Sequence, residues 1–352
     1  FHVGILTGGG DCPGLNAVIR GVTNSLIKTV GARVTGIERG FMGMIERRSR
    51  PLDSEAVAGI LNQGGTILGT HNFANPFSCN GVDVSDKVME YVRELGLDAL
   101  VAIGGDGTMS IANRFTPLGL PVVGVPKTID NDLMHTERTF GFDSAVAIVA
   151  EALARLETTA RSHGRVMVLE TMGRYAGWIA LEGGLAGGAD IILIPEKPYD
   201  LNEVIRVCKE REKKQGYTLI CIAEGARPVD GGMVVAKHLE NSPDPIRLGG
   251  VGNVLRQQLE PHLESEVRTT QLGHVQRGGT PTPYDRVLAT RFGWYAAKMV
   301  ANGEFGRMVV LKGDECASVP IEDVANRTRN VPENHSLLDV ATSLGVSLGL
   351  PA

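Results

Sequence analysis

Val122–Leu133 reads VVGVPKTIDNDL, an apolar run that breaks into a lysine, a threonine and two aspartates. The apolar part fits a buried strand of a parallel sheet, and the polar part fits the loop beyond its carboxyl end. If that loop is extended, Asp130 and Asp132, two residues apart, face the same side. One carboxylate of such a pair can accept a hydroxyl proton while the other serves a metal shell. The plain alternative is an Asx-rich turn, since Asn and Asp bend chains by bonding their own backbone.

On either side the same alternation recurs. His2–Leu6, Arg33–Ile37 and Ala99–Ile103 read as strands before this one, with helical patterns at Asn16–Lys28 and Asp86–Leu95. A second series follows: a helix from a capping Asp143 to about Ala160, and strands at Arg165–Leu169, Ile191–Ile194, Leu219–Ala223 and Val267–Leu272. Asp200 and Glu203 resemble a capping box opening a helix to Lys214. A long helix, Asp285–Ala301, and a strand, Met308–Leu311, close the series. Strand–helix repetition of this kind predicts an α/β fold with mainly parallel sheets flanked by helices. The length of 352 residues and the two βα series favour two lobes with a cleft between them.

A net charge of −5 gives no broad basic surface, which argues against nucleic acid or an anionic membrane as partner, so any anionic ligand must be met by local arginines. No apolar run reaches the roughly 18 residues that span a bilayer, and HVGILTGGG leads into a strand pattern where a signal sequence would stand; a cytoplasmic location is expected. The five cysteines are scattered without a CxxC pair, which fits reduced thiols better than disulfides or zinc.

Three turns have the character of phosphate loops: Gly8–Gly14 (GGGDCPG), Gly104–Thr108 (GGDGT) and Pro126–Asp132. Glycines there let a phosphate approach backbone N–H groups at a helix start. Neither GxxxxGK[ST] nor GxGxxG is present. The acid inside GGDGT suits Mg²⁺ beside a phosphate chain. Glu170–Gly177, Ala223–Gly225 and Leu272–Gly279 follow other strands and present Met172, Gly173, Arg174, Glu224, His274 and Arg277. Arginine forks suit phosphate, and a carboxylate suits sugar hydroxyls. Taken singly, each has a bland explanation as a surface or packed residue.

Together, LTGGGDCPGLNAVIRG, IGGDGT, PKTIDND, ETMGRYAGWIAL, PEKP, AEGA and LGHVQRGGTPTPYDR resemble the 6-phosphofructokinase family over nearly the whole chain. The resemblance implies two Rossmann-like lobes with the active site in the cleft. Residues 1–141 with about 276–326 would form the donor lobe, and 142–275 with about 327–352 the sugar-phosphate lobe. It implies phosphorylation of fructose 6-phosphate at its 1-hydroxyl, with Asp130 as base, Asp106 binding Mg²⁺, Asp132 supporting the metal, and Thr128 contacting the transferring group. Gly9, Gly105, Gly107 and Thr108 would line the donor phosphates, with Lys127 beside them. Met172, Gly173, Arg174, Glu224, His274 and Arg277 would hold the sugar phosphate. Arg165 and Arg268 would reach in from a neighbouring subunit of a homodimer or homotetramer. GGDG resembles the ATP-using members and PKTIDND the pyrophosphate-using ones; glycine at position 107 points to ATP, with pyrophosphate as the alternative. Asn24 and Gln63 stand where the bacterial ATP enzymes carry effector-binding arginines, so control at that pocket is not expected.

Overall fold

The computed structural model describes residues 1–238 and 246–351. In chain order its strands are β1 His2–Thr7, β2 Arg33–Ile37, β3 Ser49–Leu52, β4 Ala99–Gly104, β5 Val122–Pro126, β6 Val166–Thr171, β7 Ile191–Leu193, β8 Thr218–Ala223, β9 Val235–His238, β10 Ile246–Leu248, β11 Val267–Gln271, β12 Arg307–Lys312 and β13 Glu315–Pro320.

Seven of them form one sheet in the order β13-β12-β5-β4-β1-β2-β3. It is parallel except at its two edges, where β3 and β13 run antiparallel to their neighbours. A four-stranded parallel sheet has the order β11-β6-β8-β7. β9 and β10 pair as a small separate hairpin. β1, β4, β5, β6 and β8 are buried along their whole length, as strands covered by helices on both faces must be. A continuous apolar core joins the two sheets, running from Val3 and Val125 through Phe142 and Trp178 to Ile192 and Cys221.

The helix Leu15–Val30 packs along Pro283–Asn302, and Phe142–His163 along Trp178–Ala186. Gly21 meets Gly293 at the first crossing, where a Cβ on Gly21 would lie 3.1 Å from a backbone oxygen. Among the described residues no helix is long and apolar enough to cross a membrane.

Three local expectations need correction. Asp143 does not cap its helix: Gly141 is the N-cap, and Asp143, inside the first turn, accepts the Thr282 hydroxyl. Asp200 is a true N-cap that accepts the Asn202 N–H, but Glu203 pairs with Arg206 instead of reaching back, so the box is half made. The loop after β5 is not extended either: Asn131 sits at φ 53°, so the simple alternation argument for Asp130 and Asp132 does not apply.

Candidate active site

The loop after β5 is fixed by its own polar residues. Thr128 Oγ1 accepts the Asp130 N–H at 3.0 Å, and the Thr128 carbonyl accepts the Thr139 hydroxyl at 2.7 Å. Asn131 Oδ1 accepts the Thr139 N–H at 3.0 Å, while its Nδ2 donates to the Glu137 carbonyl at 3.3 Å. The side chain of Asn131 thereby compensates for its left-handed backbone, a conformation Asn tolerates better than most residues. The turn delivers Asp130 to a buried position, 3% exposed, with Oδ1 lacking any hydrogen-bond partner among the described residues. Its other oxygen lies 4.0 Å from Arg174 Nε.

Asp132 is held above the usual carboxylate range by burial and by the negative charges of Asp130 and Asp106, with Arg174 pulling the other way. Asp132 thus feels the charge of both other acids, although the turn and not a strand pleat sets its place. A buried carboxylate with one unpartnered oxygen suits a proton to be abstracted.

Asp106 opens the helix Asp106–Phe115 after β4, so the GGDGT loop is a helix N-terminus. Thr108 fills the space over two glycines: a Cβ on Gly8 would lie 2.5 Å from its hydroxyl oxygen, and one on Gly104 would lie 2.3 Å away. That close approach sets the two phosphate-type loops side by side. Gly107 differs, being exposed with no atom within 4 Å of a Cβ placed there. Lys127, 3% exposed, donates through Nζ to the Gly10 carbonyl. Burial lowers its pKa to about 8, with Arg277 and Arg174 acting in the same direction and the Cys12 thiol opposing. Lys127 thus fastens the first glycine loop to the loop after β5.

On the second sheet, the loop after β6 presents the other half of the site. Glu224 Oε1 accepts the N–H groups of Gly173 at 3.2 Å and Arg174 at 2.8 Å. Arg174 itself has φ 53°, a costly conformation for a non-glycine residue that this carboxylate clamp maintains. Met172 N–H bonds Gln276 Oε1 at 3.3 Å, tying the loop to the turn Gly273–Arg277. Arg277 lies against the first glycine loop and donates to the Asp11 carbonyl at 3.3 Å, while His274 is exposed on the same turn.

Arg165 and Arg268 are elsewhere. Both bond Glu266 Oε2, at 2.9 and 3.1 Å. Arg165 immediately precedes β6, whose far end carries the Met172–Arg174 loop, so it lies roughly 20 Å down the strand at about 3.3 Å per residue.

Three contributors were missed in the sequence. Glu170, 2% exposed at the end of β6, accepts the N–H groups of Gly250 and Gly252 and the Gln271 amide. An acid terminating an otherwise apolar strand was its available signal. The structural role of Asn131 and the contact of Arg329 with the Asp130 loop leave no such mark.

Glycine loops at helix starts, a buried carboxylate and a facing arginine together define a phosphotransferase of the two-sheet α/β type. The family described as phosphofructokinase matches residues 2–300, and the chain belongs to it. An ATP-dependent 6-phosphofructokinase 2 of Clostridium perfringens is 50% identical, covering 98% of this chain and 97% of the relative. A pyrophosphate–fructose 6-phosphate 1-phosphotransferase of Streptomyces coelicolor is 49% identical, covering 94% and 96%. Among solved structures, phosphofructokinase from Saccharomyces cerevisiae superposes with TM-score 0.77 at 30% identity, over 92% of this chain and 45% of that one.

Proposed function

We propose that this chain transfers the terminal phosphoryl group of ATP to the 1-hydroxyl of fructose 6-phosphate, giving fructose 1,6-bisphosphate, a glycolytic step of the cytoplasm. The observation that carries the choice of donor is the open space at Gly107. A side chain there would fill open space beside the helix N-terminus, and an aspartate would add a negative charge that repels a nucleotide's phosphates held at that terminus.

Asp130 acts as general base. Its buried, unpartnered Oδ1 is free to take the hydroxyl proton, and Arg174 keeps a positive charge beside the other oxygen. Thr128, Gly9, Gly105 and Thr108 border the transferring group and the donor phosphates. Met172, Gly173, Arg174, Glu224, His274 and Arg277 receive the sugar phosphate.

Among the described residues no cluster of three His, Cys, Asp or Glu side chains could by itself cage a metal. That fits Mg²⁺, which takes one or two carboxylates and completes its shell with waters and phosphate oxygens. Asp106, supported by Asp132, would hold it, and the ion would neutralise charge on the donor phosphates.

The donor lobe comprises residues 1–141 with about 276–326, and the sugar lobe the remainder. Arg165 and Arg268, remote from their own chain's Asp130 loop, serve the site of a neighbouring subunit in a homo-oligomer.

Pyrophosphate is the second reading, favoured by Lys127 and by relatives named for that donor. The attachment of Lys127 to Gly10 serves either donor. A coupled assay with fructose 6-phosphate and each donor in turn tests the proposal; turnover with pyrophosphate and none with ATP would reverse it.

A further inference from the structure

The chain leaves the first sheet after β13 and, on its way to the second, passes both halves of the site. At this crossing the Arg329 N–H donates to the Asp132 carbonyl at 2.7 Å, and Arg329 Nη1 donates to the Asn131 carbonyl at 3.1 Å. On its other side, the Arg329 carbonyl accepts Trp178 Nε1 at 2.9 Å, and the guanidinium lies 4.2 Å over the Trp178 ring. The next two residues continue onto the sugar loop: Asn330 Nδ2 donates to the Tyr175 carbonyl at 2.8 Å, and Val331 N–H to Glu196 Oε1 at 2.9 Å. Glu196 in turn accepts the Gly177 N–H.

We infer that Arg329 is a positioning residue for phosphoryl transfer, bracing the Asp130–Asp132 turn from behind and tying it to the Met172–Gly177 loop. This rests on the reading of Asp130 as the base.

Two facts make the brace consequential. The carbonyl it grips lies between the two aspartates, at a residue of positive φ. Arg329 also borders an open surface recess of about 330 Å³, together with His135, Thr136, Glu137 and Lys312. Trp178 supplies the rigid shelf, being 1% exposed and anchored in the core. A planar guanidinium can stack there and donate sideways at once, whereas an ammonium can only donate.

The test uses the full chain carrying Arg329→Met, Arg329→Lys or Asp130→Asn, with steady-state kinetics and thermal melting for each. For Arg329→Met, the expected result is a fall in kcat of about 10²-fold, the scale of a misplacement of about 1 Å. The KM for fructose 6-phosphate should stay within about twofold and the melting transition should remain cooperative, with Arg329→Lys recovering part of kcat. Wild-type kcat in Arg329→Met beside an inactive Asp130→Asn overturns the inference alone. So does a joint loss of kcat, KM and melting temperature that lysine does not relieve, because that marks a role in folding only. Wild-type turnover in Asp130→Asn removes the base assignment and this inference together, a different signature.

Discussion

Asp130 Oδ2 and Arg174 Nε face each other at 4.0 Å, one from the loop after β5 and the other from the loop after β6. The pair brings together loops from the two sheets at the point where the chemistry is proposed, and the alignment of the sheets is thereby part of that geometry. Both members are held by their backbones: Asp130 through the bond of its N–H to Thr128, Arg174 through the Glu224 clamp.

Replacing Asp130 with Asn keeps shape and removes basicity. Turnover should drop by about 10²–10⁴, the usual contribution of a general base, with fructose 6-phosphate still bound. Steady-state kinetics together with equilibrium binding of the sugar checks both halves; unchanged kcat would sink the assignment.

Gly107→Asp should lower kcat/KM for ATP strongly and that for pyrophosphate much less. Because no atom lies within 4 Å of the new Cβ, the variant should melt like the parent. Donor competition assays on the two proteins decide it, and equal losses for both donors would count against the discrimination argued at this position.

Gly8→Ala should destabilise the fold by about 1–3 kcal/mol, the ordinary cost of overpacking, since its methyl would lie 2.5 Å from the Thr108 hydroxyl. Adding Thr108→Ala removes the clashing atoms and should restore most of the loss. Urea unfolding of the single and double variants measures the coupling; a strictly additive double variant would refute the contact.

Asp285 gives a pH signature away from the chemistry. It is fully buried and accepts both the N–H and the hydroxyl of Ser144 through one oxygen, leaving Oδ1 without a partner among the described residues. Burial raises its pKa from 3.8 to about 6, against the lowering effect of the Ser144 bonds. The folded state therefore holds this proton more tightly than the unfolded state does. Its contribution to stability is full below 3.8 and is lost as pH rises through about 6. Asp285→Asn should gain on the parent as pH increases across that window, as read from denaturant midpoints. A constant difference between the two proteins would contradict this.

The sheets were legible in the sequence because parallel strands buried on both faces are continuous apolar runs, and ALVAI, VVGV, RVMVL and LICIA stand out from their polar surroundings. Ser49–Leu52 was not, since SRPL is a half-polar edge strand whose place depends on antiparallel pairing with β2. The short helices Phe41–Glu46 and Trp178–Ala186 were missed for related reasons: the first is little more than a turn, and the second, apart from Glu182, is apolar and glycine-rich and carries no helical period. In the candidate site, residues at strand ends could be found by position, because Asp106, Asp130 and Arg174 all follow apolar runs. Arg329 could not, as it lies in a segment without periodicity and acts through backbone carbonyls, which leave no trace in residue type.

The order β13-β12-β5-β4 carries a consequence for how the molecule is made. Residues 122–126, which lead into the Asp130 loop, have one neighbour in β4, synthesised just before them, and the other in β12, about 180 residues later. The four-stranded sheet, by contrast, is complete once residue 271 has emerged. During synthesis these four strands can therefore pair while the strand leading into the Asp130 loop still shows an unpaired hydrogen-bonding edge, the kind of surface on which nascent chains pair wrongly. A chain halted near residue 300 would hold nearly all the residues proposed for the reaction and lack the strand that pairs with β5.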